Sequence, residues 1–198
     1  LKVLPYAPTH AGVISNIYRN GQPWSLCTRY FLQKAIAAAQ EAGIEIKAAF
    51  ENEFSLLHSQ TKEIIPSDDT VFASTLAMNV NQEVIDAIAD ALIAQDIIVE
   101  RYYPESAPGQ QEIAIGYSDA LQAADNQIIF RETVRGVAIK HGLKASFLPK
   151  IFADKAGNGC HIHLSLWQNG NNVTGDNQGQ VSGLTKQFIG GILDHLPG

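Results

Sequence analysis

The chain has 198 residues, 45% hydrophobic and 17% charged, a composition typical of a soluble globular protein with one sizeable core. Its formal net charge is −6 and no stretch concentrates Lys or Arg, which argues against a nucleic-acid partner. No apolar run approaches the roughly 20 residues of a membrane-spanning helix, and two cysteines are too few for a disulfide framework. We therefore expect a cytoplasmic protein without a membrane partner.

The first third of the chain carries patterns of strand, turn, helix and strand. Asn20-Gly21 is a strong turn signal, and apolar side chains at helical spacing follow Thr28, a residue type that caps helix N-termini. Gly43 is suited to ending that helix. The predicted elements are a strand at 13–19, a helix between Thr28 and Gly43, and a long strand at 44–57.

Two carboxylates share one face of the long predicted strand. Strict alternation places Glu51 and Glu53 with Lys47 on the face opposite Ile46 and Phe50. Two such carboxylates repel each other unless a cation or a substrate ammonium group lies between them. The alternative is that both simply face water.

The rest of the chain is predicted to contain further strands and helices joined by turns. A helix is expected to follow Ser118, which would act as its N-cap, and the last helix is expected to follow Ser182. The predicted elements are a loop at 59–78, a helix at 81–94, strands at 97–103 and 113–117, a helix at 118–141, a strand at 145–152, and a last helix through Leu193.

A passage rich in proline and glycine, residues 104–112, separates two of these strands. It contains Glu105 and Glu112, and the chain reversal that Pro and Gly permit would bring both glutamates to adjacent strand ends. Taken alone, the passage is better explained as a polar hairpin loop.

The segment that follows a glycine-bearing loop at 154–159 alternates polar and apolar residues. His161, His163 and Ser165 fall on one strand face, and Ile162, Leu164 and Leu166 fall on the other, which could pack on a core. Neighbours on one face stand about 6 to 7 Å apart, so both imidazoles can serve one ligand without binding one metal in the same way. A solvated strand edge is the alternative.

These patterns predict an α+β fold, with an antiparallel or mixed sheet and helices packed on one face. The polar residues at strand ends and cleft faces are four glutamates and a histidine, a donor set that suits Mg²⁺ or Mn²⁺. Two such ions suit phosphoryl transfer, because they offset charge on the phosphate oxygens.

Three motifs resemble, in order and approximate separation, those of the glutamine synthetase catalytic domain. They are ENEF at 51–54, ESAPGQQE at 105–112, and the loop that ends in GNGCHIHLS at 157–165. The flanking segments are also similar to the family from the start of the chain to its end. The resemblance implies a curved antiparallel sheet with helices packed behind it.

The resemblance implies a role for each motif residue. Glu53, Glu105 and Glu112 would hold a first ion beside the glutamate and ammonia substrates and act as the catalytic carboxylates. Glu51 and His161 would hold a second ion on the nucleotide phosphates, so His161 also lies in the substrate-binding set. His163 and Ser165 would contact ATP. The Gly157 backbone and Glu53 would position the substrate glutamate.

The resemblance also implies the reaction. The ATP γ-phosphoryl group passes to the side-chain carboxylate of glutamate, and ammonia or an amine then attacks the acyl phosphate, leaving an amide and phosphate. This is glutamine biosynthesis, a part of nitrogen metabolism. ATP as a substrate and two or more Mg²⁺ or Mn²⁺ ions are implied, in a ring-shaped homo-oligomer.

The motifs depart from the family pattern at the glycine loop. The family commonly has asparagine where Ala156 stands, and often serine and methionine where Asn158 and Cys160 stand. Two alternatives to a glutamine synthetase follow: a ligase that joins glutamate to polyamines or other amines, and a non-catalytic relative that binds or assembles without turnover.

The resemblance further implies a position within a longer protein. Residues 1–198 correspond to the central part of the catalytic domain. The family's amino-terminal domain and its arginine-rich carboxy-terminal segment have no counterpart in this sequence, so these 198 residues are expected to be inactive alone.

Overall fold

The computed structural model describes residues 2–60 and 63–196. Its helices are α1 (Thr28–Glu41), α2 (Thr75–Ile93), α3 (Ala120–Lys140) and α4 (Gly183–His195). Its strands are β1 (Lys2–Leu4), β2 (Ala7–Gly12), β3 (Tyr18–Arg19), β4 (Gln22–Pro23), β5 (Glu45–His58), β6 (Val99–Pro104), β7 (Gln110–Ile115), β8 (Ser118–Asp119), β9 (Leu143–Ser146), β10 (Cys160–Gln168) and β11 (Asn171–Asn172).

The long strand β5 is the centre of a seven-stranded sheet. Its neighbours follow the order β11-β10-β5-β7-β6, and β8 and β9 pair with other parts of β5. The pairings of β5 with β7, β8 and β9, and of β7 with β6, are antiparallel. The predicted α+β fold with an antiparallel sheet and packed helices is therefore confirmed.

The chain forms two compact units. The first contains the chain up to Ser15, together with Ala49–Tyr117 and Ala124–Ile162; the second contains Asn16–Ala48, Ser118–Ala123 and the chain from His163 onward. The carboxylates of the three predicted motifs all belong to the first unit.

The core of the first unit lies between the sheet and two helices. Phe54 of β5 and Ile113 of β7 are fully buried against α2 and α3, which contribute Ile88 and Phe130 among others. Because side chains alternate along a strand, packing these apolar residues on the helices turns their neighbours Glu53 and Glu112 to the opposite face. The hydrophobic pattern of β5 and β7 thus sets which face carries the carboxylates.

Of the helix starts predicted from sequence, that of α4 is correct, whereas those of α2 and α1 differ from the structure. The Ser182 hydroxyl accepts a hydrogen bond from the Thr185 amide at 3.2 Å, so the predicted cap of α4 is confirmed. Helix α2 begins six residues earlier than predicted, because Ser74 caps it by accepting from the Leu76 amide. The N-cap of α1 is Cys27, not Thr28, and it makes no side-chain capping bond.

Three predicted boundaries are wrong. Strand pairing begins at Gln110, so Glu112 lies inside β7, not in the turn before it. Ser118 pairs with β5 in the short strand β8 and does not cap α3. The strand predicted at 145–152 ends at Ser146 in β9, three residues before Pro149, which has no N–H group for a strand ladder.

The strand predicted at 13–19 forms only over its last two residues, Tyr18 and Arg19 in β3. These two pair with β4 across a turn in which both Asn20 and Gly21 have positive φ angles, as the Asn-Gly signal indicated. The loop predicted at 59–78 is irregular only as far as Ser74, and its residues 61 and 62 lie outside the described residues. Among the helices of the described chain, none is both long and apolar enough to cross a membrane.

Candidate active site

Three glutamates from different elements converge on the polar face of the sheet. Glu53 in β5 lies directly opposite Glu112 in β7, and Glu105 follows immediately after β6. One carboxylate oxygen from each of the three lies within 4.8 Å of the other two. The expectation that the turn at 104–112 brings Glu105 and Glu112 together is confirmed. We call these three residues the acidic triad.

The Gln110 side chain holds the triad to the loop that precedes β10. Its Nε2 donates to Glu53 Oε2 at 2.7 Å and to the Gly157 carbonyl at 2.9 Å, and its Oε1 accepts from the Ala107 amide at 2.7 Å. Gln110 is 2% exposed, so these bonds form away from water and fix the position of the Glu53 carboxylate.

The glycine loop makes backbone contact with Glu53. The Gly159 amide donates to Glu53 Oε2 at 3.0 Å, and a Cβ atom at position 159 would lie 2.9 Å from Glu53 Oε1. A Cβ atom at Gly157 would lie 2.3 Å from the Pro149 carbonyl oxygen. A side chain at position 157 would therefore clash with backbone, and one at position 159 would force the Glu53 carboxylate or the loop to shift.

Glu112 receives a hydrogen bond from the neighbouring strand. Tyr103 lies opposite Glu112 in β6, and its hydroxyl donates to Glu112 Oε1 at 2.8 Å. Burial, together with this bond, raises the pKa of Tyr103 well above its usual value, so the phenol stays protonated and remains a donor. Glu112 itself is 2% exposed, which leaves its charge little contact with water.

A second carboxylate position lies next to the triad along β5. Glu51 accepts from Arg101 in a short ion pair, and its Oε2 lies 3.3 Å from His161 Nδ1. The Glu51 side chain is 17% exposed and that of His161 is 70% exposed. The structure therefore brings together Glu51 and His161, the pair predicted from sequence, and adds Arg101 to them.

The remaining predicted residues lie further along β10, in the second unit. His163 is exposed, and Ser165 is half-buried and accepts from Trp167 Nε1 at 2.9 Å. The interpretation of the alternate residues as a packed apolar face is correct only for Leu166, which is buried. Ile162 and Leu164 are 56% and 39% exposed.

The triad has the chemistry of a site for a divalent cation. Three carboxylates this close repel one another, and hard oxygen donors are the ligands that Mg²⁺ and Mn²⁺ bind. The Gln110 amide and the Gly159 amide already satisfy one oxygen of Glu53, which orients the carboxylate as outer-shell partners of metal ligands do. The donor set present here therefore fits the group that the motifs implied.

Comparison with known proteins supports the resemblance of the motifs. Residues 25–198 match the family model of the glutamine synthetase catalytic domain. The chain belongs to the glutamine synthetase family.

Individual relatives cover nearly all of the chain. It is 35% identical over 215 residues to Type-1 glutamine synthetase 1 of Dictyostelium discoideum, a match that covers 98% of this chain and 43% of the relative. It is 32% identical over 191 residues to gamma-glutamylpolyamine synthetase GlnA3 of Streptomyces coelicolor, covering 93% of this chain and 41% of the relative. The chain thus spans less than half the length of these glutamine synthetase relatives.

The fold is also that of solved structures. A GmaS/ADP complex in its conformation 1 superimposes with a TM-score of 0.90 at 32% identity, and the match covers 98% of this chain and 46% of that one. The neighbours therefore agree with the motifs on family and on fold.

Sequence reasoning missed four residues around this candidate site: Tyr103, Gln110, Gly159 and Arg101. Gln110 and Gly159 stand inside two of the recognised motifs, so their places in the motifs were the available signal. The contacts of Arg101 and Tyr103 depend on the register of β6 against β7, which no local pattern reports.

Proposed function

We propose that the protein carrying this chain is an ATP-dependent ligase that joins the side-chain carboxylate of glutamate to ammonia through γ-glutamyl phosphate. The observation that carries the proposal is the acidic triad, three carboxylates within 4.8 Å on a glutamine synthetase fold. A structural descendant without catalysis has no physical reason to retain such a repulsive cluster. The 198 residues correspond to the central part of the catalytic domain in this proposal.

The triad residues Glu53, Glu105 and Glu112 would hold one divalent cation beside the glutamate carboxylate. Glu51 and His161 would hold a second beside the nucleotide phosphates. Bound Mg²⁺ or Mn²⁺ supplies neutralisation of charge on the phosphate oxygens during transfer. Arg101 pairs with Glu51 in the present structure, so nucleotide-linked cation binding has to compete with this ion pair.

Other residues of the chain would position the two substrates. The Gly157 backbone and the Glu53 carboxylate are assigned to the amino-acid part of glutamate, whose ammonium group Glu53 can accept. His163 and Ser165, which occupy alternate positions on one face of β10, are assigned to contacts with ATP. We further propose that the whole protein forms a ring-shaped homo-oligomer, as the family resemblance implies.

The reaction balances as two displacements. A carboxylate oxygen of the glutamate side chain attacks the γ-phosphorus of ATP, and ADP leaves with the electron pair of the broken bond. Ammonia then attacks the acyl carbon, phosphate leaves, and the nitrogen loses a proton to give the amide. The residues above hold the reacting groups close together and do not become covalently modified.

One relative and one residue favour an amine other than ammonia as the substrate that receives the γ-glutamyl group. A relative that covers most of the chain is named gamma-glutamylpolyamine synthetase, and Ala156 replaces a polar residue common in the family. The alternative function is therefore a ligase that uses a polyamine or another amine in place of ammonia, with the same phosphoryl transfer.

The test is phosphate release from ATP and glutamate by the protein carrying this chain, with ammonia or with each of a panel of amines. Glu112→Gln should abolish turnover, whereas Glu83→Gln, the same change at an exposed position of α2, should leave it unchanged. Turnover with ammonia supports a glutamine synthetase, and turnover with another amine alone supports the alternative. Silence with every acceptor would favour a non-catalytic relative.

The two cation positions can be separated by calorimetric titration with Mn²⁺. Glu112→Ala should remove binding at the triad. His161→Ala should weaken Mn²⁺ binding more in the presence of a nucleotide analogue than in its absence, because its ion bridges phosphates in this proposal. Equal loss under both conditions contradicts the assignment of His161.

A further inference from the structure

A cavity of about 250 Å³ lies on the opposite face of β6 and β7 from the acidic triad, next to helix α2. Gln111 and Tyr102 line it from the strands, and Asp86, Gln82 and Asn79 line it from the helix. All of these belong to the first unit. The residues adjacent to Gln111 along β7, Gln110 and Glu112, face the triad, so cavity and triad share the two strands without sharing side chains.

The first observation that points to a ligand is an unsatisfied amide. Gln111 is 2% exposed, and its Nε2 has no hydrogen-bond partner among the described residues. A buried donor without a partner costs free energy of about 1 to 3 kcal/mol, and a strand residue on the helix-facing side is normally apolar. The last torsion of a Gln side chain is broad, so this amide can turn its N–H group toward the cavity.

The second observation is the Asp86 carboxylate, one oxygen of which can still accept a hydrogen bond. Asp86 Oδ1 accepts from the Tyr102 hydroxyl at 3.0 Å, while Oδ2 has no partner among the residues that the structure describes. Asp86 lines the cavity, and the bond from Tyr102 fixes the position of its carboxylate. Among the described residues, no Lys, Arg or His lines this cavity. The single formal charge of this described lining is the negative charge of Asp86, which disfavours a phosphate or a dicarboxylate.

These groups define the chemistry of the occupant. Asp86 offers an acceptor for an ammonium group, and Gln111 offers a donor for a hydroxyl or carbonyl oxygen. We propose that this cavity is a second binding site, separate from the triad, for a small ammonium compound that also carries such an oxygen. Gln82 and Asn79, at the exposed rim, add amide groups that can bond further polar atoms of the same molecule.

The experiment follows the side-chain amide signal of Gln111 by two-dimensional ¹⁵N–¹H NMR during titration with ethanolamine. Binding should move that signal downfield along a saturable curve, because the unpartnered N–H gains an acceptor. Propylammonium, which lacks the oxygen, and ethylene glycol, which lacks the ammonium group, should each bind about tenfold or more weakly. Equal effects of all three compounds, or no saturable shift, overturn the proposal.

Matched variants separate a built site from a general charge effect. Asp86→Asn keeps the size of the side chain and an acceptor for Tyr102 but removes the charge, and should weaken ethanolamine binding about tenfold or more. Asp90→Asn, the same change one turn along α2 and outside this cavity, should leave binding unchanged. Equal weakening by both variants refutes the site. The triad takes no part in this measurement, so its outcome is independent of whether the ligase assignment holds.

Discussion

The Tyr103 hydroxyl donates to Glu112 Oε1 over 2.8 Å from the position directly opposite Glu112 in the neighbouring strand. This bond occupies one carboxylate oxygen of Glu112, a residue that has a carboxylate oxygen within 4.8 Å of those of Glu53 and Glu105. Since outer-shell hydrogen bonds orient metal ligands, Tyr103 belongs to the candidate site through its bond to Glu112.

Tyr103→Phe should weaken Mn²⁺ binding at the triad about tenfold, the lower end of the range for outer-shell partners of metal ligands. The reason is that Glu112 loses the donor that fixes its carboxylate. Calorimetric titration measures the change. Tyr18→Phe, at an exposed tyrosine of β3, is the control and should bind Mn²⁺ like the wild type. An unchanged affinity in Tyr103→Phe shows that the bond does not orient the ligand.

Gly159→Ala should disturb the triad without enlarging any side chain of the triad itself. The added Cβ atom would stand 2.9 Å from Glu53 Oε1, so the carboxylate or the loop has to move. We expect Mn²⁺ affinity to fall about tenfold or more, given that a ligand misplaced by a fraction of an ångström loses coordination geometry.

The control for this change is Gly183→Ala at the start of α4, where an added Cβ meets nothing within 4 Å. It should bind Mn²⁺ like the wild type in the same titration. Should Gly159→Ala retain wild-type affinity, close approach of the loop backbone to Glu53 is not required for cation binding.

The repulsion within the triad predicts opposite effects of one substitution with and without metal. Glu105→Gln removes one of three neighbouring negative charges, so in the presence of a chelator it should raise the free energy of unfolding by up to about 1 kcal/mol. With Mn²⁺ in excess, the same variant should gain less stability than the wild type. It has lost one of the carboxylates and should bind Mn²⁺ more weakly, and the stabilisation by a ligand increases with the logarithm of its affinity.

Urea unfolding with EDTA and with Mn²⁺ measures both effects. Glu83→Gln, on the exposed side of α2, should change neither. A lower stability of Glu105→Gln in EDTA would falsify the account of the triad as mutually repelling carboxylates.

Several of these spatial relationships could be predicted from the sequence. The alternation of β5 placed Glu51 and Glu53 on one face, and the glycine and proline between Glu105 and Glu112 predicted that the chain reverses there. Both conclusions rest on local rules, the two-residue period of strands and the turn preferences of Pro and Gly. The prediction that Glu53 joins Glu105 and Glu112 came from the family motifs, since local rules do not report which strands are neighbours.

The failures have a common physical cause. Gln110 to Glu112 read as a turn because they are polar, yet they pair with β5 and are buried, since their hydrogen bonds are made inside the protein. The contact of the Gly159 backbone with Glu53 depends on how a loop packs across a strand, which has no local sequence pattern. Tertiary contacts of this kind override propensity.

The hydrogen bond between Tyr102 and Asp86 predicts a loss of stability at alkaline pH. Acceptance by Asp86, and then burial, raise the pKa of Tyr102 above its usual value of 10.0. A raised pKa in the folded state means that the stabilisation is fully present below pH 10 and is lost as the pH rises through the higher folded value. Tyr102→Phe should therefore unfold more easily than the wild type at pH 8, by about 1 kcal/mol, and decline less steeply above pH 10.

Urea unfolding at pH 8, 10 and 11 tests this prediction. The exposed Tyr18→Phe variant controls for the loss of a phenol as such and should follow the wild-type curve. Identical slopes above pH 10 for Tyr102→Phe and the wild type would show that the Asp86 bond does not couple to stability.

Gly136 in α3 allows two opposing effects to be weighed. Alanine has a helix propensity about 1 kcal/mol better than glycine, but a Cβ atom at this position would stand 2.2 Å from the Tyr6 ring. Overpacking costs about 1 to 3 kcal/mol, and the contact is with the body of a ring packed on the core. Gly136→Ala should therefore destabilise the protein by about 1 to 2 kcal/mol.

Gly190→Ala is the matched change in α4, where nothing lies within 4 Å of the added Cβ. With no clash to offset the gain in propensity, it should stabilise by up to about 1 kcal/mol. Urea unfolding of both variants gives the difference directly. If Gly136→Ala is as stable as Gly190→Ala, the Tyr6 ring moves aside at no cost. The packing of Tyr6, in the turn between β1 and β2, against α3 then contributes little to stability.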